Sequence, residues 1–256
     1  LLTSISIAYA SVTASILPTA AGTYSAWTPS TGATHYTLVD ETTCNGTTDY
    51  VSATAAGVRD SFTVSVASVP NGAMITGISI TPCASKSATS GTASMSLFYR
   101  LNGVNSVDGS AYTLSGKTPV TLTATSYTGL STIKNASTTL EVGAIRVSGT
   151  TGARLSRMAT VITYVTTPPT PSNVASTATS STAVGVTWSS SSSDVSGFSL
   201  EKSTDGVNFN FLATTTSFAR GYTDSGLSAG TYYYKLRAFN ALGYSSYSST
   251  TVTTLP

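Results

Sequence analysis

Hydrophobic and polar positions alternate in short runs along most of this chain, which is the pattern of half-buried β-strands. In one such run Phe62, Val64 and Val66 fall on the same face. Seven runs of this kind predict a β-sandwich or jelly roll over residues 23–166. The predicted strands are His35 to Asp40, Asp60 to Ala67, Met74 to Pro82, Ser94 to Leu101, Val120 to Ser126, Thr139 to Ser148 and Arg157 to Val165. The turn signals between them are Asn71-Gly72, Asn102-Gly103 and Asp108-Gly109.

Residues 1–22 depart from this alternation and form an uncharged, apolar segment. On a helix at 100° per residue its apolar side chains form one stripe, and Pro18 would end that helix near residue 17. We therefore favour a helix over the alternative, a donor strand that completes the sheet of a neighbouring molecule. The stripe consists of Leu1, Leu2, Ile5, Ala8, Tyr9, Val12 and Ile16.

An apolar segment that stays in the mature protein has to bury its surface, and we interpret this one as an assembly interface between copies of the chain. It is too short for a stable transmembrane anchor, which needs about 20 apolar residues. An uncleaved signal peptide and an edge strand within one monomer are the alternatives. A short apolar helix at the mature N-terminus resembles type IV pilins, although the acidic residue of bacterial pilins is absent. Packing of this segment on its own chain would remove the basis for the interface.

The composition suits an exported structural protein of two domains. The 256 residues include only 9% charged side chains, with a formal net charge of +2, and roughly a third are Ser or Thr. Because no basic patch stands out, nucleic acid and anionic membranes are not expected partners. The two cysteines, Cys44 and Cys83, predict a disulfide in an extracellular protein, with two buried thiols as the alternative.

The last third of the chain consists of a proline-rich linker and a second domain. Prolines predict an extended linker over residues 167–171, followed by a second β-domain over residues 172–256. This domain has a strand with Trp188, an Asp205-Gly206 turn and the run Tyr232 to Asn240. These features resemble a fibronectin type III domain across residues 168–256. The resemblance implies a sandwich whose core and tyrosine corner contain Trp188, Leu227, Tyr232 and Tyr234.

Short motifs in residues 24–166 resemble a β-sandwich domain of bacterial surface proteins and phage-like structural proteins. The motifs are Trp27, His35-Tyr36, Val39 to Glu41, Asp49 to Val51, Leu140 to Gly143 and Tyr164-Val165. The resemblance implies a structural or display role without catalysis.

The residues offer little catalytic chemistry, so we expect neither an enzyme nor a cofactor. The one histidine, His35, begins a predicted strand and is interpreted as a packing residue. Asp40, Glu41, Asn45 and Asp49 lie close in sequence, and we interpret them as a solvated acidic turn rather than a calcium site. No metal site is therefore expected.

Two kinds of residue are candidates for carbohydrate chemistry: asparagines to which a glycan can be attached, and tyrosines that can bind a sugar. Asn45 and Asn135 lie in N-glycosylation acceptor patterns. Tyr244 and Tyr247 follow a predicted turn and are candidates for stacking on sugars, with ordinary packing on a strand face as the alternative.

Together these features predict a structural subunit of an extracellular, pilus-like filament that self-assembles through its N-terminal segment and displays β-domains outward. Its main partners would be other copies of the chain, with no stable membrane insertion in the assembled state. The alternative is a cell-surface adhesin or phage-like decoration protein that binds carbohydrate on surface glycans or host cells.

Overall fold

The computed structural model describes residues 11–256, which form two compact units. The first spans residues 11–164 and the second residues 165–256. Within this part of the chain the regular structure is β-strand, apart from one 3₁₀ turn at His35–Leu38. No helix among these residues is long and apolar enough to cross a membrane. The predicted all-β fold with tandem sandwiches is confirmed.

Two sheets face each other in the first unit. Its strands are β1 (Ser11–Val12), β2 (Pro18–Ser25), β3 (Thr28–Pro29), β4 (Val51–Ala53), β5 (Arg59–Val64), β6 (Met74–Lys86), β7 (Ser94–Leu101), β8 (Val104–Asn105), β9 (Tyr112–Thr113), β10 (Val120–Thr121), β11 (Thr125–Ile133), β12 (Leu140–Ser148) and β13 (Ala153–Val165). The seven-stranded sheet has the order β10-β6-β13-β4-β3, with β1 on β13 and β11 on β6. The six-stranded sheet has the order β2-β5-β12-β7-β8, with β9 on β7.

The core of the first unit follows from the alternation along its strands. On β12, Leu140, Val142 and Ala144 point inward, and antiparallel pairing sets Val142 opposite Phe62 of β5. All four side chains are fully buried. Each large apolar side chain removed from water in this way stabilises the fold by about 1.5–3 kcal/mol.

Three local predictions are wrong. Residues 35–40 do not form a strand: His35–Leu38 is a 3₁₀ turn, which lets the consecutive side chains Leu38 and Val39 both be buried, as alternation on a strand would not. The run from Val120 to Ser126 is interrupted at residues 122–124 and contributes to two strands, β10 and β11. Asp108-Gly109 is not a tight turn, because the Gly109 amide donates to the Leu97 carbonyl over 2.8 Å.

One predicted hairpin is confirmed at Asn102-Gly103, which joins β7 to β8. Both residues have positive φ, 51° and 79°, as a two-residue hairpin turn requires. The strand before it, Ser94–Leu101, has the predicted bounds.

The second unit is a smaller sandwich of two sheets. Its strands are β14 (Ser172–Ser180), β15 (Ala183–Ser189), β16 (Gly197–Ser203), β17 (Asn210–Thr216), β18 (Gly221–Ser225), β19 (Gly230–Asn240), β20 (Gly243–Tyr244) and β21 (Thr251–Leu255). The three-stranded sheet has the order β14-β15-β18, and the five-stranded sheet has the order β17-β16-β19-β20 with β21 on β19. Residues 167–171, the predicted linker, contain no regular element.

The aromatic residues proposed for the core of this unit are buried between its two sheets. Trp188 and Leu227 belong to the same apolar cluster, and the Trp188 ring lies 5.3 Å from that of Phe198. The Tyr232 hydroxyl donates to the Ser228 carbonyl over 2.9 Å, which closes a tyrosine corner. The buried Tyr234 hydroxyl donates to Asp224, and Lys202 pairs with the same carboxylate at 2.9 Å.

Candidate functional site

Residues 11–16 of the N-terminal segment lie along the edge of β13, whereas residues from Pro18 onward belong to β2 on the other sheet. Ser11 lies opposite Tyr164, Val12 lies opposite Thr163, and Ile16 forms a further bridge with Thr160. The predicted helix is therefore wrong for residues 11–17. Val, Ile and Thr are weak helix formers, and strand pairing with β13 satisfies their main-chain groups. The other stripe residues, Leu1, Leu2, Ile5, Ala8 and Tyr9, lie outside the described residues.

The two stripe residues that the structure describes have different surroundings. Ile16 packs against the core of its own unit, and its role in an interface between copies stays a prediction. Val12 keeps 63% of its surface exposed. Between them, Thr13 is buried, and its hydroxyl accepts a hydrogen bond from the Ile162 amide at 3.0 Å.

Three separate pieces of chain pair with β13 along one edge. Strand β4 covers its beginning, Asp40 bridges to Arg157, and residues 11–16 cover the stretch from Thr160 to Tyr164. The other edge of β13 is taken by β6. Residues 11–16 thus supply the hydrogen-bond partners that the last third of β13 would otherwise lack.

The disulfide between Cys44 and Cys83 is confirmed, with the two Cα atoms 5.5 Å apart. It ties the loop before β4 to the C-terminal part of β6, where Cys83 is fully buried. The same loop holds the predicted acidic turn. Among residues 11–256 the structure has no group of three or more His, Cys, Asp or Glu side chains arranged to hold a metal ion.

Both glycosylation candidates are exposed. Asn45 lies beside the disulfide. The side-chain oxygen of Asn135 accepts hydrogen bonds from the Ser137 amide and hydroxyl, at 2.9 and 2.7 Å. Modification at these positions stays a prediction.

His35 has a partner that the sequence interpretation missed. Its Nδ1 atom lies 2.8 Å from Oδ2 of Asp60, whose side chain is fully buried while that of His35 is 20% exposed. Burial raises the pKa of Asp60 to about 6, and the hydrogen bond and charge of His35 limit the rise. Asp60 Oδ1 has no hydrogen-bond partner among the described residues. Alternation could have found this carboxylate, because Asp60 shares strand parity with the inward residues Phe62 and Val64.

The tyrosines proposed to stack on sugars lie beside positively charged side chains. The Tyr247 ring contacts Lys235 at 4.1 Å and Arg237 at 4.5 Å, and its hydroxyl donates to Glu201. Arg237 also lies 3.9 Å from the centre of the Tyr244 ring. Tyr244 is 53% exposed and thus retains surface for a ligand, whereas Tyr247 is largely engaged within the domain.

These observations define a modular protein of two β-sandwich units. The second unit is a fibronectin type III domain: residues 168–254 match the family model described by that name. Domains of this kind are β-sandwich modules often found in extracellular, adhesion and structural proteins, and the disulfide is consistent with an extracellular location.

Several solved structures are similar to about a third of this chain. A structure titled FN3tt mut is 24% identical, with 35% of this chain and 98% of its own covered at a TM-score of 0.32. The sixth fibronectin type III domain of a human fibronectin type III domain containing protein is 25% identical, with coverage of 35% and 86% and a TM-score of 0.32. A structure of titin kinase and its flanking domains is 24% identical, with coverage of 34% and 17% and a TM-score of 0.31. Comparison with curated proteins gave no match.

Proposed function

We propose that this chain is a non-catalytic structural subunit of an extracellular, pilus-like fibre, in which copies of the chain bind one another through the N-terminal segment. Because residues 11–16 pack on their own chain, the apolar stripe no longer supports this interface. The observation that supports it is instead that the pairing of Ser11–Val12 and the bridge of Ile16 complete the edge of β13, which the same residues of another copy can complete equally. Strand addition to a sheet edge is a common way in which β-proteins associate, because main-chain hydrogen bonds supply the affinity. Val12 stays exposed when its strand lies on β13, so it leaves apolar surface for a second contact between neighbouring copies in the fibre.

The surface chemistry also suits a structural role. The chain has few charges, two β-sandwich units and a disulfide with one buried cysteine, Cys83, and these features suit a structural module with a weakly charged surface. Its single histidine is hydrogen-bonded to the buried carboxylate of Asp60, an arrangement that serves the fold of the first unit. These features support the proposal of a non-catalytic protein.

A substitution at Val12 tests the proposed fibre. Val12→Asp introduces a charge on an exposed side chain, so it should change the stability of the monomer by less than about 1 kcal/mol. We expect the unmodified chain to form fibres in negative-stain microscopy and the Val12→Asp variant to remain monomeric by light scattering, because the charge would have to be desolvated in the contact.

The matched control is Val252→Asp, which places the same charge on a side chain of the second unit that is 53% exposed. This variant should form fibres as the unmodified chain does. Equal fibre formation by the two variants would place the contact away from Val12. A monomeric unmodified chain at all accessible concentrations would overturn the proposed function.

Binding of carbohydrate is the second candidate function, and the exposure of Tyr244 favours it. On this hypothesis, Tyr244→Ala in the full chain should remove the signals that the unmodified chain gives on a glycan array, since a sugar would stack on that ring. Tyr222→Ala is a control in the same domain. A blank array with the unmodified chain would eliminate this candidate.

A further inference from the structure

Residues 11–16 and β2 are adjacent in sequence but belong to different sheets. The first group lies on β13 of the seven-stranded sheet, and β2 lies on β5 of the six-stranded sheet. The chain passes from one sheet to the other at Leu17-Pro18. Residues 11–16 can therefore leave β13 without breaking any strand pairing of β2.

Strand β2 has its own attachment to the six-stranded sheet. The amide and hydroxyl of Thr23 donate to the Glu141 carboxylate over 2.8 and 2.7 Å. The same carboxylate pairs with Arg100 at 2.8 Å and accepts from Ser61 at 2.7 Å. This network holds β2 in place whether or not the preceding residues lie on β13.

The attachment of residues 11–16 is mainly through the backbone. Thr13 donates to the Ile162 carbonyl over 3.0 Å, and Ile16 exchanges two hydrogen bonds of 2.8 Å with Thr160. Thr13 and Ile16 are the side chains directed at the unit, whereas Val12, Ala14 and Ser15 are exposed. Another copy of the chain offers the same atoms in the same order, so it can make the same contacts.

We infer that residues 11–16 of one copy occupy the β13 edge of another copy, an exchange that rests on the proposed function and names its contact. The exchanged strand restores every hydrogen bond that it makes within one chain, and the Leu17-Pro18 passage acts as the hinge. Donor strand and acceptor edge are different surfaces, so each copy gives one strand and receives one. Such a head-to-tail contact propagates when the geometry does not close.

A disulfide trap tests the exchange in the full chain. Ser11 and Tyr164 lie directly opposite each other, so Ser11→Cys combined with Tyr164→Cys places two thiols on paired strands. We expect non-reducing electrophoresis to show linked multimers that become monomers on reduction. A product cross-linked only within single chains would overturn the inference.

The matched control is Thr28→Cys with Ser52→Cys, which lie opposite each other on β3 and β4 of the same sheet. Because neither strand takes part in the exchange, this pair should link only within one chain. If the double variant fails to fold, differently tagged Ser11→Cys and Tyr164→Cys chains can be mixed and oxidised. A mixed dimer of the two tags supports the exchange, and its absence counts against it.

The outcomes separate this inference from the proposed function. Fibres without any link between chains would refute the exchange while the fibre remains. A linked dimer without fibres would support the exchange and refute the fibre. Single chains that neither link nor assemble would refute both.

Discussion

The double substitution Cys44→Ala with Cys83→Ala should lower the free energy of unfolding of the first unit by about 4 kcal/mol. The cross-link closes a loop with a sequence separation of 39 residues, and its removal restores the conformational freedom of that loop in the unfolded chain. Cys44 lies between the 3₁₀ turn and β4, in the same segment as Asp40, which bridges to Arg157 of β13. We therefore expect the loss to appear in the first unit.

The two tryptophans make the measurement specific, because one lies in each unit. Trp27 is buried in the first unit and Trp188 in the second. In a Trp188→Phe background, the fluorescence of Trp27 during urea unfolding reports the first unit alone. A reductant should lower the midpoint of the cross-linked chain and leave that of the double variant unchanged.

Ser156→Ala serves as the control for local packing at the disulfide. The Ser156 hydroxyl lies 3.1 Å from the Cys83 sulfur, so this variant changes the surroundings of the disulfide but keeps the covalent bond. Its cost should be no more than about 1.5 kcal/mol. A double variant that unfolds at the same urea concentration as Ser156→Ala would show that the cross-link contributes little.

Local patterns predicted the second unit best. The alternating side chains of β19 and the Trp188 strand define both of its inner faces, and the tyrosine corner lies within five residues of sequence. Strand β7 was also predictable, because its apolar run is followed directly by the Asn102-Gly103 turn. In these regions the structure is determined by residues that lie close together in the sequence.

The candidate site was harder to predict from local patterns, because the residues that contact one another there are far apart in the sequence. Thr13 binds Ile162, 149 residues away, so the helical spacing of the apolar stripe was overridden by a sheet edge that local periodicity does not reveal. The contact between His35 and Asp60 likewise depends on how the 3₁₀ turn lies against β5. From the sequence alone, strand alternation indicated only that the side chain of Asp60 points inward.

The buried Asp60 should make the first unit more stable at pH 4 than at pH 7, and the Asp60→Asn variant should lose most of this difference. Burial raises the pKa of Asp60 from 3.8 in the unfolded chain to about 6 in the folded one. The folded state therefore binds the proton more tightly, and its stabilising effect is lost as the pH rises through that interval. The difference between the two pKa values corresponds to a loss of about 3 kcal/mol in the free energy of unfolding.

The measurement compares urea unfolding of the unmodified chain and of Asp60→Asn at several values between pH 4 and pH 7, again through Trp27 in the Trp188→Phe background. The asparagine side chain keeps an oxygen that can accept a hydrogen bond from His35, but it has no charge to desolvate. Any pH-independent loss of stability in the variant cancels, because the stability of each protein at one pH is compared with its own stability at another pH. Parallel pH curves for the two proteins would contradict the prediction.

His35→Gln provides the opposite test of the same pair. The hydrogen bond and charge of His35 oppose the effect of burial, so without them the pKa of Asp60 should rise further. The fall in stability should then extend to higher pH than in the unmodified chain. If the fall instead shifted to lower pH or disappeared, the predicted effect of His35 on the pKa of Asp60 would be wrong.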